Sequence, residues 1–343
     1  MKALWLESAR TVRYGDLPTP TPPPGWVRLK VLAASVCGSD LKTYKNGRSY
    51  QLDKRVSGHE FVGVIDQVAD ADSPWKPGTR VCAYPQLYCR TCDDCREGSV
   101  NLCRLHKLVG GRDYNGGFAE YIVVPEYVLM EVPEGISDVE AAMTEPFAVS
   151  LHAVNRAGGE ALKGKRLAIY GAGSLGFFAL EAAKYYGVAQ IIMLSRGMKK
   201  LEIAKAHGAT DIIQVSGSTE DLREEVLKRT DGRGVDAVVD TACMDVTLNN
   251  SLHICKSHGI ISVPGMNQAK CTVDFQYLVS RELTITGSNT YTTEMEECLN
   301  ILASGKVSTA YIADPIVPLC QGVETFQKLA DQPEACMKAV FIP

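Results

Sequence analysis

With 343 residues, 45% of them hydrophobic and 22% charged, the chain has the composition of a globular protein of two domains with a sizeable core. A net charge of −4, a pI near 5.9 and the absence of any run of like charges argue against nucleic acid or an anionic membrane as partner. Glu7 and Arg10 interrupt the N-terminus before a signal-peptide core can form, and no apolar run approaches the roughly 18 residues of a membrane span, so a soluble, cytoplasmic protein is expected.

Residues 1 to about 150 read as a β-rich unit. Pro18, Pro20 and Pro22-Pro23-Pro24 keep the chain extended before Val27–Val31, whose in-and-out alternation predicts a half-buried strand. Phe61–Ile65, Arg80–Tyr84 and Phe118–Val124 are further strand candidates, with Pro77-Gly78 as a turn. From Asp138 the texture changes. Val139–Arg156 predicts a helix interrupted near Pro146. Strands at 167–170, 190–194, 211–214, 235–239 and 260–263 then interleave with helices at 177–186, 198–207 and 219–230. Such alternation implies βαβ crossovers and a parallel sheet. From about Leu283 a strand, a helix at 293–304 and a short C-terminal stretch are too little for a third domain, and the tail is expected to return to the first.

The turn between the first of these strands and its helix is Gly171-Ala172-Gly173-Ser174-Leu175-Gly176. In a strand, G-x-G-x-x-G, helix context the first glycine allows the tight turn and the second lets the backbone approach a pyrophosphate. The third lets helix and strand pack closely. Free N–H groups at the helix start face the phosphates. The plainer reading is an ordinary tight turn.

Twelve cysteines are many for a cytosolic chain, where disulfides are rare and a cluster points to metal or catalysis. Cys89, Cys92, Cys95 and Cys103 place four thiolates within fifteen positions, enough to close the tetrahedral shell of a structural zinc. An iron–sulfur cluster is the rival. Cys82, Cys243, Cys255, Cys271, Cys298, Cys320 and Cys336 show no ligand spacing and read as small buried hydrophobes.

A second set is more dispersed: Cys37-Gly38-Ser39-Asp40, Gly58-His59-Glu60 and Thr144-Glu145-Pro146. Thiolate, imidazole and carboxylate all ligate zinc, and three protein ligands with one open position describe a catalytic site. Each piece alone is weak. Their order, beside the four-cysteine loop and ahead of the dinucleotide turn, is persuasive.

Taken with Gly116-Gly117-Phe118-Ala119-Glu120-Tyr121, these motifs resemble the zinc-dependent medium-chain alcohol and polyol dehydrogenases over essentially the whole chain. The resemblance implies an α/β protein. A GroES-like β-rich catalytic domain would comprise 1–148 and 284–343, and a Rossmann doubly wound parallel-sheet domain 149–283. It implies two zincs per chain. One is structural, on the four cysteines; the other is catalytic, on Cys37, His59 and Glu145, with Glu60 a nearby carboxylate able to approach or leave the metal. Glutamate rather than cysteine at 145 resembles the polyol and polyol-phosphate branch. Asp40 would hydrogen-bond His59 and fix its orientation. In the implied chemistry zinc polarises the alcohol oxygen, an alkoxide forms near neutral pH and hydride passes to C4 of nicotinamide. Ser39 would be the first proton carrier; Lys42 stands where many relatives continue the relay with histidine. Family members are dimers or tetramers, often paired through the nucleotide domain.

The second strand of the nucleotide domain ends Leu194-Ser195-Arg196 with no acid, and Lys200 follows. A carboxylate would bond the ribose 2′-OH of NAD and repel a 2′-phosphate, whereas Ser195, Arg196 and Lys200 suit NADP. NAD stays as the alternative, and a solvated loop is the plainer reading. Tyr291 fits the sorbitol dehydrogenase pattern, but Thr290 stands where that pattern has arginine. Galactitol-phosphate dehydrogenases are also similar. Lys42, Lys45 and Arg48 are candidates for holding a phosphate, and Tyr44 and Tyr50 for lining a pocket, against plainer roles in a solvated loop and in packing. The expected partner is a small polyol or sugar derivative, with no nucleic acid and no membrane. Competing readings are an NAD-linked polyol-phosphate dehydrogenase, a non-catalytic nucleotide-sensing zinc protein, and a zinc-free quinone reductase of the same fold.

Overall fold

The computed structural model describes residues 1–47, 54–265 and 270–343, and the chain divides into two compact units, Met1–Pro146 with Met295–Pro343, and Phe147–Glu294. Arg48 and Tyr50 lie outside the described residues.

The first unit is built on the strand Trp26–Ser35, in which Val27, Leu29, Val31 and Ala33 alternate inward and are at most 3% exposed. It pairs antiparallel with Glu60–Val68, Tyr121–Pro125 and the C-terminal strand Lys338–Ile342. Arg80–Ala83 and Leu129–Glu131 extend the sheet beyond Glu60–Val68, and Ala313–Pro318 extends it beyond the C-terminal strand. A separate hairpin, Lys2–Ser8 with Thr11–Asp16, is covered by the amphipathic helix Gly322–Asp331, which buries Phe326, Leu329 and Ala330.

The second unit is a six-stranded parallel sheet. Its order is Asp211–Gln214, Gln190–Ser195, Arg166–Tyr170, Val235–Asp240, Cys255–Val263, Thr284–Gly287. In chain order that is 3-2-1-4-5-6, the doubly wound arrangement whose crevice at the strand C-termini holds a dinucleotide. Leu167, Ala168 and Ile169 are fully buried, as a strand covered by helices on both faces requires.

One boundary differs from expectation. The helical stretch after Asp138 breaks at Met143, between helices Asp138–Ala142 and Thr144–Arg156, and not at Pro146. Pro146 falls in the first turn of the second helix, where its missing N–H has no intrahelical acceptor to lose. Among the described residues no helix is long and apolar enough to cross a membrane.

Candidate active site

The four cysteines predicted from spacing meet at one point. Cys89 and Cys95 Sγ lie 3.9 Å apart, as do Cys92 and Cys103 Sγ, and all four lie within 4.8 Å of one another. Tetrahedral zinc with Zn–S near 2.3 Å needs an S–S edge of about 3.8 Å, so the set fits the ion. The backbone is arranged for thiolate: Cys89 Sγ accepts from the amides of Thr91 (3.4 Å) and Cys92 (3.3 Å), and Cys103 Sγ from the Cys89 amide (3.3 Å). The Thr91 hydroxyl and these amides hold the Cys89 thiol down to about 5.

In the same unit Cys37, His59 and Glu60 bring a sulfur, an imidazole nitrogen and a carboxylate oxygen within 4.8 Å. Cys37 precedes the helix Gly38–Asn46, and its amide donates to Asp40 Oδ2 at 3.0 Å, which closes the helix start. His59 and Glu60 sit where the chain enters the strand Glu60–Val68. Their approach depends on backbones meeting without side chains. A Cβ on Gly110 would stand 2.3 Å from the Gly58 carbonyl oxygen, and one on Gly116 2.2 Å from the same atom. The Gly117 amide donates to that carbonyl at 2.7 Å. The glycine motif at 116–117 therefore locks the segment carrying His59.

Glu145 is buried, and its charge acts on both His59 and Lys338, but it stands outside the three-residue cluster. Burial alone would lower the His59 pKa; the Cys37 thiolate, Asp40 and Glu145 outweigh it and hold it well above the ordinary value. A site that draws positive charge onto an imidazole in this way is one that a divalent cation would satisfy. Asp40 makes its described hydrogen bond to the Cys37 amide, and it reaches His59 through charge and not through a hydrogen bond.

Both oxygens of Glu60 are engaged, Oε1 by Lys338 Nζ at 2.7 Å and Oε2 by the Ser35 hydroxyl. Glu60 and Lys338 are 0% and 4% exposed. Lys338 and Ser35 escaped the sequence reading. The one available signal was a lone lysine opening an apolar C-terminal strand.

A cavity of about 450 Å³ opens against Ser39, Asp40 and His59 and continues to His106, Arg112 and Asp113. Its size is that of a small-molecule site. Lys42 and Lys45 are exposed and are not part of its lining, and Tyr44 is buried against Phe326 at 5.5 Å. His106, Arg112 and Asp113 were not singled out by sequence, because nothing in their spacing marks a loop folded back onto His59.

In the second unit the glycine turn has the geometry its pattern demands. Gly171 has φ +107°, and a Cβ on Gly176 would lie 1.9 Å from the Gly171 carbonyl oxygen. A Cβ on Gly173 would meet nothing within 4 Å, so space is open at the start of the helix Ser174–Tyr185, where Leu175 also lies and which no side chain caps. Uncapped N–H groups beside open space fit a dinucleotide pyrophosphate. Ser195 ends its strand, Arg196 is exposed after it and Lys200 lies in the first turn of the helix Met198–Ala206.

Known proteins match this geometry. Residues 23–134 fit the model of the alcohol dehydrogenase GroES-like domain and residues 174–304 that of zinc-binding dehydrogenase. Sorbitol dehydrogenase of Bacillus subtilis is 31% identical, covering 100% of this chain and 97% of its own. The structure of galactitol-1-phosphate dehydrogenase from Escherichia coli superposes with a TM-score of 0.92 at 27% identity, covering 100% of both chains. A zinc-binding-dehydrogenase-like protein of Sinorhizobium meliloti, bound to NADP, gives 0.91 at 27% identity, covering 100% and 99%. The chain belongs to the family of zinc-dependent medium-chain alcohol and polyol dehydrogenases, oxidoreductases that join a GroES-like unit to a Rossmann unit.

Proposed function

We propose that the protein transfers hydride between NADP(H) and a secondary alcohol or ketone of a polyol or sugar derivative, with 1–148 and 284–343 as the catalytic domain and 149–283 as the nucleotide domain. The observation that carries this is the Cys37–His59–Glu60 cluster, whose His59 lines a cavity sized for a small molecule. Cys37, His59 and Glu145 would hold the catalytic zinc, and Cys89, Cys92, Cys95 and Cys103 the structural one. Bound there, zinc supplies a Lewis acid that makes the substrate hydroxyl acidic. The residues do the rest. Ser39, exposed on the cavity wall, is the first proton carrier, accepting the hydroxyl proton as it passes its own to solvent. Glu60, which stands with Cys37 and His59 and is held by Lys338 and Ser35, is the nearby carboxylate that can approach or leave the metal. Polyol substrates are supported by the sorbitol and galactitol-1-phosphate dehydrogenases among the relatives.

Cofactor binding falls to Gly171, Gly173, Ser174, Leu175 and Gly176 for the pyrophosphate, and to Ser195, Arg196 and Lys200 for a 2′-phosphate. The NADP held by a structural neighbour supports this reading, as does the lack of any acid at 195–200. Homodimer or homotetramer formation belongs to the same reading. Phe275 and Val279, 71% and 57% exposed, lie on the helix preceding the edge strand Thr284–Gly287. Twelve cysteines without a disulfide suit a reducing compartment, the cytoplasm.

Metal analysis together with a substrate panel tests the proposal. The purified protein is expected to carry two zincs and to oxidise C4–C6 polyols or their acids with NADP. Cys37→Ser is expected to lose one zinc and all turnover while remaining folded. Full activity in Cys37→Ser would overturn the assignment.

A further inference from the structure

Resting on that reading, we propose that Arg112 determines specificity, making the preferred substrate a polyol derivative with an anionic group, carboxylate or phosphate, away from the carbinol being oxidised.

The loop that carries Arg112 is registered directly against the candidate metal site. Gly110, two residues earlier, lies so close to the segment at His59 that a Cβ there would stand 3.0 Å from the His59 amide nitrogen. The loop is also closed on itself. The Gly110 amide donates to the Tyr114 carbonyl at 3.0 Å, and the Leu108 amide donates to Asp113 Oδ2 at 3.0 Å. Arg112 is thus presented from a braced turn and not from a loose strand end.

The charges along the cavity are unequal in availability. Asp40 and Asp113 line it too, but each carboxylate accepts a backbone amide, from Cys37 and Leu108 respectively. Arg112 is exposed and has no hydrogen bond or ion pair among the described residues. It is the one described lysine or arginine in the lining. A guanidinium offers a planar fork of donors that matches carboxylate or phosphate, and it gives little to a neutral hydroxyl.

His106 supplies the complement. Its Nδ1 donates to the Cys103 carbonyl at 2.7 Å, since a carbonyl can only accept. That leaves Nε2 as the ring nitrogen with no described partner, open to a substrate hydroxyl. Cys103 belongs to the four-cysteine set, so this loop also holds in place one wall of the substrate cavity. The cavity then presents a metal end, a hydroxyl acceptor and a cation, which is the pattern of an acidic polyol.

The test compares wild type, Arg112→Ala and Arg112→Lys, zinc-loaded, with NADP and three matched substrate series: neutral hexitols, aldonates and hexitol phosphates. Wild type is expected to favour an acidic series in kcat/KM by tenfold or more. Arg112→Ala should lose about 10- to 100-fold on that series, mainly through KM, and change less than twofold on neutral hexitols; Arg112→Lys should recover part of the loss. Whichever acidic series responds identifies the anion. If neutral hexitols are used as well as the acids, or if Arg112→Ala lowers every series equally, the assignment of Arg112 fails while the dehydrogenase reading stands. If no series turns over, that reading fails instead. Calorimetric titration with aldonates and hexitol phosphates then decides Arg112 by itself: binding weakened in Arg112→Ala upholds it, and unchanged or absent binding overturns it.

Discussion

Lys338 and Glu60, 278 positions apart, form a fully buried ion pair at 2.7 Å, with the Ser35 hydroxyl on the other carboxylate oxygen. Burial alone would lower the Lys338 pKa, but Glu60 and Cys37 outweigh it and hold the pKa above its ordinary value. Removing one partner strands a charge in the interior. Lys338→Met is expected to destabilise the protein by about 3–5 kcal/mol, and Glu60→Gln with Lys338→Met by clearly less. Urea denaturation of both single variants and the double variant checks this, and a double loss equal to the sum of the two single losses would show that the pair is not coupled.

The four-cysteine loop has few apolar side chains, and the helix Asp93–Arg96 buries none of its residues. On the proposed reading a zinc on the four cysteines supplies that order, because structural zinc binding is folding free energy. Cys92→Ser is expected to lower the zinc count from two to one and to cost several kcal/mol of stability. Through the His106–Cys103 hydrogen bond it should also raise KM for substrate. A variant with one zinc and unchanged melting would contradict the structural role.

Much of this architecture was legible in the sequence because the relevant signals are local. Asp211–Gln214 is a strand at the limits its apolar run set, and the glycine turn has the close contacts its spacing demanded. The four cysteines lie within one loop, so spacing alone brought them together. What escaped is what only tertiary structure assembles. Lys338 reaches Glu60 because the C-terminal strand pairs with Trp26–Ser35. Arg112 reaches the cavity because two glycines let distant backbones touch. The helices Gly38–Asn46 and Gly322–Asp331 went unread: the first is mostly polar, and the second is a short amphipathic stripe with no run of its own.

At the proposed cofactor site, Arg196 is exposed and has no ion-pair partner among the described residues; Gln214 Nε2 donates to its carbonyl at 2.9 Å, tying the backbone of the turn. The guanidinium is therefore available to a 2′-phosphate, and a charge-assisted contact of this kind is worth about 1.5–3 kcal/mol. Arg196→Ala is expected to lower kcat/KM for NADP by roughly 10- to 100-fold and leave NAD nearly unchanged. Initial rates with both cofactors decide it. An equal loss on the two would place Arg196 outside the discrimination.

In the second unit His152 Nδ1 lies 2.7 Å from Glu294 Oε1, and the Thr292 amide donates to Glu294 Oε2 at 2.7 Å. Burial would raise the Glu294 pKa, but these two partners bring it down to about 2, against an ordinary 4.5. The folded carboxyl thus binds its proton less readily than the unfolded one. Its contribution to stability is complete above about pH 4.5 and is lost as the pH falls toward 2. Allowing for partial solvent screening, Glu294→Gln should cost about 1–2 kcal/mol at pH 6. The difference from wild type should shrink as the pH is lowered from 4.5 to 2. Chemical denaturation at several pH values measures both quantities. A gap that stayed constant down to pH 2 would mean that Glu294 acts through shape and not through charge.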